Sequence, residues 1–143
     1  MQIGDVSRVT GIPISTLRYY DNNGLLHVNK TSGGIRIFDK SDLDALRIIN
    51  CLKNSGMKIS EIRQFMDWCL EGDSTISKRY DMFCKQEENL LCEISKLEEA
   101  LKLIKFKKWY YSVALEDGTT SRISNMDISL YPDDIKVLYE ETH

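Results

Sequence analysis

One stretch constrains the fold of this chain more than any other, because residues 74–111 contain neither proline nor glycine. Apolar side chains recur there at steps of three and four with one break at Glu87, a spacing typical of one face of a long helix. The members of this stripe are Tyr80, Phe83, Leu90, Ile94, Leu97, Leu101 and Ile104. Such a helix would reach about 55 Å, too long to bury its stripe against one small domain.

This stripe predicts a dimerisation helix over residues 74–112, which pairs with the same helix of a second copy. The pair could be parallel or antiparallel. The alternative is an intrachain helical hairpin, but no second helix of matching length is predicted elsewhere in the chain. The sequence therefore favours a homodimer.

The N-terminal segment has the pattern of a helix-turn-helix. Residues 2–10 have the spacing of a short amphipathic helix, and Gly11 follows them. Pro13 suits the first turn of a second helix, where a missing N–H costs nothing. Gly24 then ends that second helix. We expect the two helices to pack against each other across this short turn.

The second helix is rich in side chains that can form hydrogen bonds. Helical spacing turns Leu17 inward, while Thr16, Arg18 and Tyr19 can reach outward. Tyr20 either touches a DNA phosphate or sits in the core. A polar helix that carries arginine and tyrosine suits a DNA groove; a small solvated helix on a globular domain is the alternative reading.

A hairpin, or wing, is predicted directly after this helix. Residues 26–28 and 35–38 are β-like, and a Gly-Gly pair at 33–34 separates them. Lys30 and Arg36 flank the turn. Basic side chains at this place would contact phosphates or the minor groove. An ordinary hairpin with incidental charges is the alternative.

The net charge of −3 hides an uneven distribution. Residues 1–40 carry five basic and three acidic side chains, whereas residues 113–143 carry two basic and seven acidic ones. DNA affinity depends on the local basic face rather than on the total. The acidic total therefore does not exclude a nucleic-acid partner.

Other classes of protein find little support. The chain has no apolar run of membrane-spanning length and no signal-peptide pattern at its start, so we expect a cytoplasmic protein without a membrane partner. The four cysteines, with no C-x-x-C pair and only two histidines in the chain, predict reduced thiols and no metal site. No catalytic triad, phosphate loop or cofactor motif is present, so we expect neither an enzyme nor a cofactor.

The rest of the chain predicts further helices. Residues 41–55 and 59–71 have helical apolar spacing, with Asp39 or Ser41 as the cap of the first of these two. Three aromatic residues at 109–111 are expected to close the long helix. Residues 113–131 are expected to form a loop, and 133–141 a short helix in an acidic, solvated or weakly docked tail.

Several motifs in this order resemble the MerR family of bacterial transcription regulators, over residues 1–112. The motifs are Ile3-Gly4-Asp5-Val6, Thr10-Gly11, Thr16-Leu17-Arg18-Tyr19-Tyr20-Asp21, Gly24-Leu25-Leu26, Gly34-x-Arg36 and Asp42-Leu43. The wing departs from the usual Gly-Tyr-Arg, because Ile35 replaces the tyrosine. The resemblance implies a mainly α fold, with a winged helix-turn-helix domain over 1–73, a dimer helix in an antiparallel coiled coil over 74–112, and a tail over 113–143.

The resemblance also implies a function. Such regulators bind promoter DNA as dimers and activate by bending and untwisting it, so that RNA polymerase engages both promoter elements. The implied DNA contacts are Thr16, Arg18, Tyr19, Tyr20, Lys30 and Arg36. The alternative is a constitutive DNA-bending architectural or recombination accessory protein without a sensor.

The segments 51–57, 67–76 and 108–111 resemble the thiol-dependent branch of this family, which responds to aldehydes and other electrophiles. Cys51 is the first candidate for the sensor thiol and Cys69 is the second, with an electrophilic inducer as the implied ligand. The alternative role for Cys51 is that of a small buried hydrophobe. Cys84 and Cys92 are expected to be packing residues on the long helix.

Overall fold

A computed structural model describes all 143 residues, and its architecture is mainly helical with one two-stranded sheet. The main elements are α1 (Ile3–Thr10), α2 (Ile14–Asn22), β1 (Asn29–Lys30), β2 (Arg36–Ile37), α3 (Lys40–Asn54), α4 (Ile59–Glu71), α5 (Ile76–Asp117), α6 (Ser121–Ser124) and α7 (Asp133–Thr142). Two 3-10 turns lie at Asp73–Thr75 and Ile128–Leu130. The chain divides into two compact units, Met1–Glu88 and Asn89–His143. The predicted fold class, a winged helix-turn-helix with a long helix, is confirmed.

The helix-turn-helix forms as the sequence predicts. Gly11 ends α1 at φ +74°, a left-handed conformation that favours glycine. Pro13 then precedes the first residue of α2. Val6 of α1 and Leu17 of α2 are fully buried, so the two helices share one apolar core.

The middle helices complete the core of the first unit. Asp39 caps α3 in a reciprocal capping box with Asp42, since each side chain accepts the other residue's backbone N–H, at 3.0 and 2.9 Å. The predicted bounds of α3 are correct within one residue, and those of α4 are exact. The core side chains of this unit are Val6, Ile12, Leu17, Tyr20, Leu25, Leu26, Val28, Phe38, Leu46, Ile49, Leu52, Met57, Ile62 and Phe65.

The wing is shorter than the sequence predicts. β1 and β2 pair antiparallel, with Asn29 opposite Ile37 and Lys30 opposite Arg36. The prediction of a strand at residues 26–28 is wrong. Leu26 and Val28 are buried in the core instead, and packing rather than strand pairing explains their apolar character.

The long helix continues beyond its predicted end. It has 42 residues and runs through the aromatic triplet at 109–111 to Asp117, before Gly118 at φ +71°. The expected loop over 113–131 is therefore wrong, because helix α5, helix α6 and a 3-10 turn occupy most of it. The absence of proline and glycine in fact persists to residue 117.

The second unit has its own apolar core, and the tail is docked rather than solvated. Phe106 is 3% exposed, and its ring centroid lies 5.5 Å from that of Tyr139 on α7. Ile135 of α7 is also buried. Lys102 on α5 pairs with Glu141 at 3.0 Å. The acidic segment 133–142 is thus an ordered helix within this unit.

Candidate nucleic-acid interface

Helix α2 presents one buried face and one exposed face. Leu17 and Tyr20 are buried, at 0% and 2% exposure, whereas Arg18 and Tyr19 are exposed and Thr16 is half-buried. The exposed face offers a guanidinium and two hydroxyl groups to a partner. These are the side chains that the sequence predicts for DNA contact, and that role stays a prediction.

Tyr20 differs from the other predicted contacts because it belongs to the core. Its ring lies against that of Tyr19, with 6.2 Å between centroids. Lys53 Nζ of α3 sits 5.9 Å from the Tyr20 ring centroid, within reach of a cation–π interaction. Of the two roles that the sequence allows for Tyr20, its burial supports the core role.

The wing is a tight hairpin whose tip is closed by its own hydrogen bonds. The Gly34 N–H donates to the Thr31 carbonyl at 2.9 Å, and the Ile35 N–H donates to Thr31 Oγ1 at 3.2 Å. Ile35 is 52% exposed at this tip. Since Ile35 stands at the position of the usual tyrosine, the wing presents an apolar side chain there without a hydroxyl.

Arg36 contacts the end of α2, which the sequence did not reveal. Its Nε donates to Asp21 Oδ2 at 2.8 Å, and its guanidinium also donates to Asn22 Oδ1 at 3.1 Å. The side chain of Arg36 is only 18% exposed, whereas that of Lys30 is 45% exposed. Lys30 Nζ lies 3.5 Å from the same Asp21 oxygen. Both basic residues of the wing therefore face a carboxylate in the free protein.

This carboxylate is charged at neutral pH despite its position. Burial raises the pKa of Asp21, but the Arg36 guanidinium, the Val28 N–H and the nearby Lys30 outweigh that burial and hold its pKa below the usual range. The Val28 N–H donates to Asp21 Oδ1 at 3.4 Å. Asp21 thus accepts hydrogen bonds from the segment that enters the wing and from β2, and it forms an ion pair with Lys30 on β1.

Further basic residues of this unit were not among the predicted contacts. Lys53, together with Ser15, Thr16, Tyr19, Tyr20 and Ile59, lines an open depression of about 250 Å³ beside α2. Arg63 of α4 is exposed and lies alongside Gly24, at the end of α2. Because Lys53 lies on α3 and Arg63 on α4, both distant from α2 in sequence, only the tertiary arrangement brings them beside α2.

The two candidate sensor thiols are accessible. Cys51 is exposed on the last turn of α3, so its alternative role as a small buried hydrophobe is wrong. Cys69 is exposed near the end of α4. Cys84 and Cys92 are exposed on α5, so in the single chain they are not packing residues. All four are free thiols.

Two kinds of feature are absent from the structure. No group of three or more His, Cys, Asp or Glu side chains is arranged to hold a metal ion. None of the helices combines the length and apolar character needed to span a membrane.

Helix α2 with one buried and one exposed face, the short wing that follows it, and the two middle helices α3 and α4 together define a winged helix-turn-helix DNA-binding domain. Comparison with known proteins assigns this domain to a family. Residues 1–68 match the model of the MerR HTH family regulatory proteins. An HTH-type transcriptional regulator of Haemophilus influenzae, itself uncharacterised, is 36% identical over 115 residues, which cover 80% of this chain and 85% of that protein.

Two further relatives agree. The regulator AdhR of Bacillus subtilis is 30% identical over 92 residues, which cover 64% of this chain and 66% of AdhR. The crystal structure of HiNmlR, described as a MerR family regulator lacking the sensor domain and bound to promoter DNA, superposes with a TM-score of 0.76 at 35% identity. That match covers 83% of this chain and 95% of HiNmlR.

The chain belongs to the MerR family of HTH transcriptional regulators. It is a DNA-binding regulator of transcription, as the motifs of its first 43 residues predict.

Proposed function

We propose that the protein acts as a homodimer held by the apolar stripe of α5. The main observation that supports this proposal is the exposure of the stripe in the single chain. The exposed fractions are 49%, 69%, 51% and 62% for Ile94, Leu97, Leu101 and Ile104. A helix with such a stripe is stable in water when a second helix covers it. Two antiparallel copies of α5 would place one DNA-binding segment, residues 1–73, at each end of the pair.

Each DNA-binding segment would contact one half of a promoter site. Thr16, Arg18 and Tyr19 would reach into the major groove, and Lys30 would neutralise a phosphate beside it. Lys53, which lines the depression beside α2, would add a phosphate contact. A rigid dimer that binds two half-sites can bend and untwist the DNA between them. RNA polymerase would respond through the altered DNA, in the bacterial cytoplasm.

We propose that the response is controlled by a thiol, with Cys51 as the first candidate and Cys69 as the second. The support is the exposure of Cys51 on the last turn of α3 and the resemblance of residues 51–57 to the thiol-dependent branch. An aldehyde would add to the thiol: a sulfur–carbon bond forms, the carbonyl π pair takes up the thiol proton, and a hemithioacetal results. The step needs neither an oxidant nor a leaving group.

Transcription in vitro from the regulator's own promoter tests this proposal. We expect methylglyoxal to raise transcription with the wild-type protein and with Cys92→Ala, the matched control on α5, but not with Cys51→Ala. Full induction with Cys51→Ala and its loss with Cys69→Ala would move the role to the second candidate. Induction that survives both substitutions would refute the thiol mechanism. No induction of the wild type by any electrophile would favour a constitutive DNA-bending protein.

A further inference from the structure

We propose that Asp21 fixes the wing relative to α2, the recognition helix that carries the proposed major-groove contacts, and thereby determines how well the protein distinguishes its promoter site from other DNA. Asp21 lies in the last turn of α2. Its Oδ2 accepts a hydrogen bond from Arg36 on β2 at 2.8 Å and lies 3.5 Å from Lys30 Nζ on β1. One carboxylate of the recognition helix therefore holds both strands of the wing.

The geometry around this carboxylate is closely defined. Its side chain is only 8% exposed, and its Oδ1 accepts the Val28 N–H just before β1. Asn22 holds the Arg36 guanidinium from a second direction. The opposite side of β2 is bridged to Gln2 through Ile37, a contact that does not reach α2. Phe38 after β2 also exchanges two hydrogen bonds with Met1, each at 2.7 Å, so the start of the chain anchors that end of the wing. The Asp21 cluster is the side-chain polar link between α2 itself and the two strands.

The two cations of the wing have different roles in this arrangement. Arg36 has two partners and little exposure, so it stays with Asp21 and Asn22 as a positioning residue. Lys30 has one longer contact and is nearly half exposed, so a DNA phosphate can take it over from Asp21. This assignment follows from the 2.8 and 3.5 Å distances and from the 18% and 45% exposures.

Asp21 should therefore affect the two kinds of DNA binding in opposite directions. Binding to any DNA depends on the number of cations available to phosphates, and the negative charge of Asp21 lowers that number. Binding to the correct site requires phosphate contacts that set register and orientation. Asp21 holds the wing in the position from which the wing makes such contacts. Removal of its charge should strengthen non-specific binding and weaken specific binding.

Asp21→Asn tests this inference, because it removes the charge with almost no change of shape. We would measure fluorescence anisotropy with a duplex of the regulator's own promoter and with a random duplex of equal length, at several salt concentrations. We expect promoter affinity to fall about tenfold and random-DNA affinity to rise about threefold. The random-DNA salt slope should steepen by roughly one per protomer, as Arg36 becomes free for phosphate.

Asp44→Asn is the matched control, since Asp44 is an exposed carboxylate on α3 that faces Arg47 at 3.9 Å. It should leave the ratio of promoter to random affinity within about twofold. A parallel fall of both affinities in Asp21→Asn would reveal a merely structural residue, and a parallel rise would reveal a charge effect alone. Either result overturns the inference.

Two further controls keep the test decisive. Should Asp21→Asn fail to fold, Asp21→Glu keeps the charge but displaces the carboxylate; it must lower promoter affinity and leave random-DNA affinity and its salt slope as in the wild type. Equal promoter-to-random ratios in Asp21→Glu and wild type would overturn the inference. The inference rests on the proposed approach of α2 and the wing to DNA, and a wild type without promoter preference would refute that function itself.

Discussion

Replacement of Leu97 by alanine should weaken the proposed dimer by an amount that follows from its exposure. The substitution removes three carbon atoms, each contributing about 0.8 kcal/mol when fully buried. Leu97 is 69% exposed in the single chain, so a partner helix can still bury most of it, which amounts to about 1.5 kcal/mol per protomer. A two-fold interface contains the substitution twice. The dissociation constant should rise by roughly 150-fold, or about 3 kcal/mol.

Sedimentation equilibrium over a range of protein concentrations measures this change. Glu98→Ala is the matched control, because Glu98 is the next residue on α5, is exposed and lies outside the apolar stripe. Leucine, glutamate and alanine all favour helix, so circular dichroism should be alike for wild type and both variants. A wild type that sediments as a monomer, or a dissociation constant unaltered in Leu97→Ala, would refute the proposed role of the stripe.

Three more predictions concern the first compact unit, Met1–Glu88. Lys30→Ala should lower the magnitude of the slope of log promoter affinity against log salt concentration by about one per protomer. Arg36→Ala should lower it by clearly less, since Asp21 already neutralises Arg36. Anisotropy titrations at several salt concentrations compare the two variants, and equal slopes would contradict this prediction. The folded-state pKa of Asp21 lies below its unfolded value, so its stabilising contribution is complete above about pH 4 and is lost as pH falls through the lowered pKa. Urea unfolding between pH 2.5 and 6 should therefore show that the free energy of unfolding falls less with acid for Asp21→Asn than for wild type. Gln86 on α5 donates to the Ser55 carbonyl at 2.7 Å, so Gln86→Leu should lower the free energy of unfolding by about 1 kcal/mol, and an unaltered urea midpoint would argue against this bond.

The bounds of several helices could be predicted from local features of the sequence. Gly11 and Gly24 mark the ends of α1 and of the recognition helix, and the period of apolar residues gives α3 and α4 almost exactly. The end of α5 could also have been predicted, because Gly118 is the first glycine after Gly72. The aromatic triplet at 109–111 suggested an earlier stop, although aromatic side chains are compatible with a helix.

The arrangement of the wing could not be read in this way. The strands have two residues each, and their register depends on pairing between residues distant in sequence. The contact between Arg36 and Asp21 spans 15 positions, and no periodicity relates the two. Sequence motifs therefore identify Arg36 as a residue of interest, but only the folded chain shows that a carboxylate already holds it.

The docked tail leads to a last prediction, on the second unit. Phe106 is 3% exposed, and rings of both α7 and the preceding segment surround it, with centroids 5.5 Å away at Tyr139 and 6.0 Å away at Tyr131. Phe106→Ala would leave a cavity that costs about 3–5 kcal/mol, more than one ion pair between Lys102 and Glu141 can offset. We therefore expect α7 to undock.

Amide hydrogen exchange measures the undocking directly. In Phe106→Ala, exchange over residues 133–142 should approach that of an unprotected chain, while the neighbouring Lys105→Ala, which alters an exposed side chain, should preserve protection. If α7 stays protected in Phe106→Ala, its own helix propensity and the ion pair hold it in place, and the aromatic cluster is not what orders the tail. Protection lost in both variants would instead assign the docking to the charge of this part of α5.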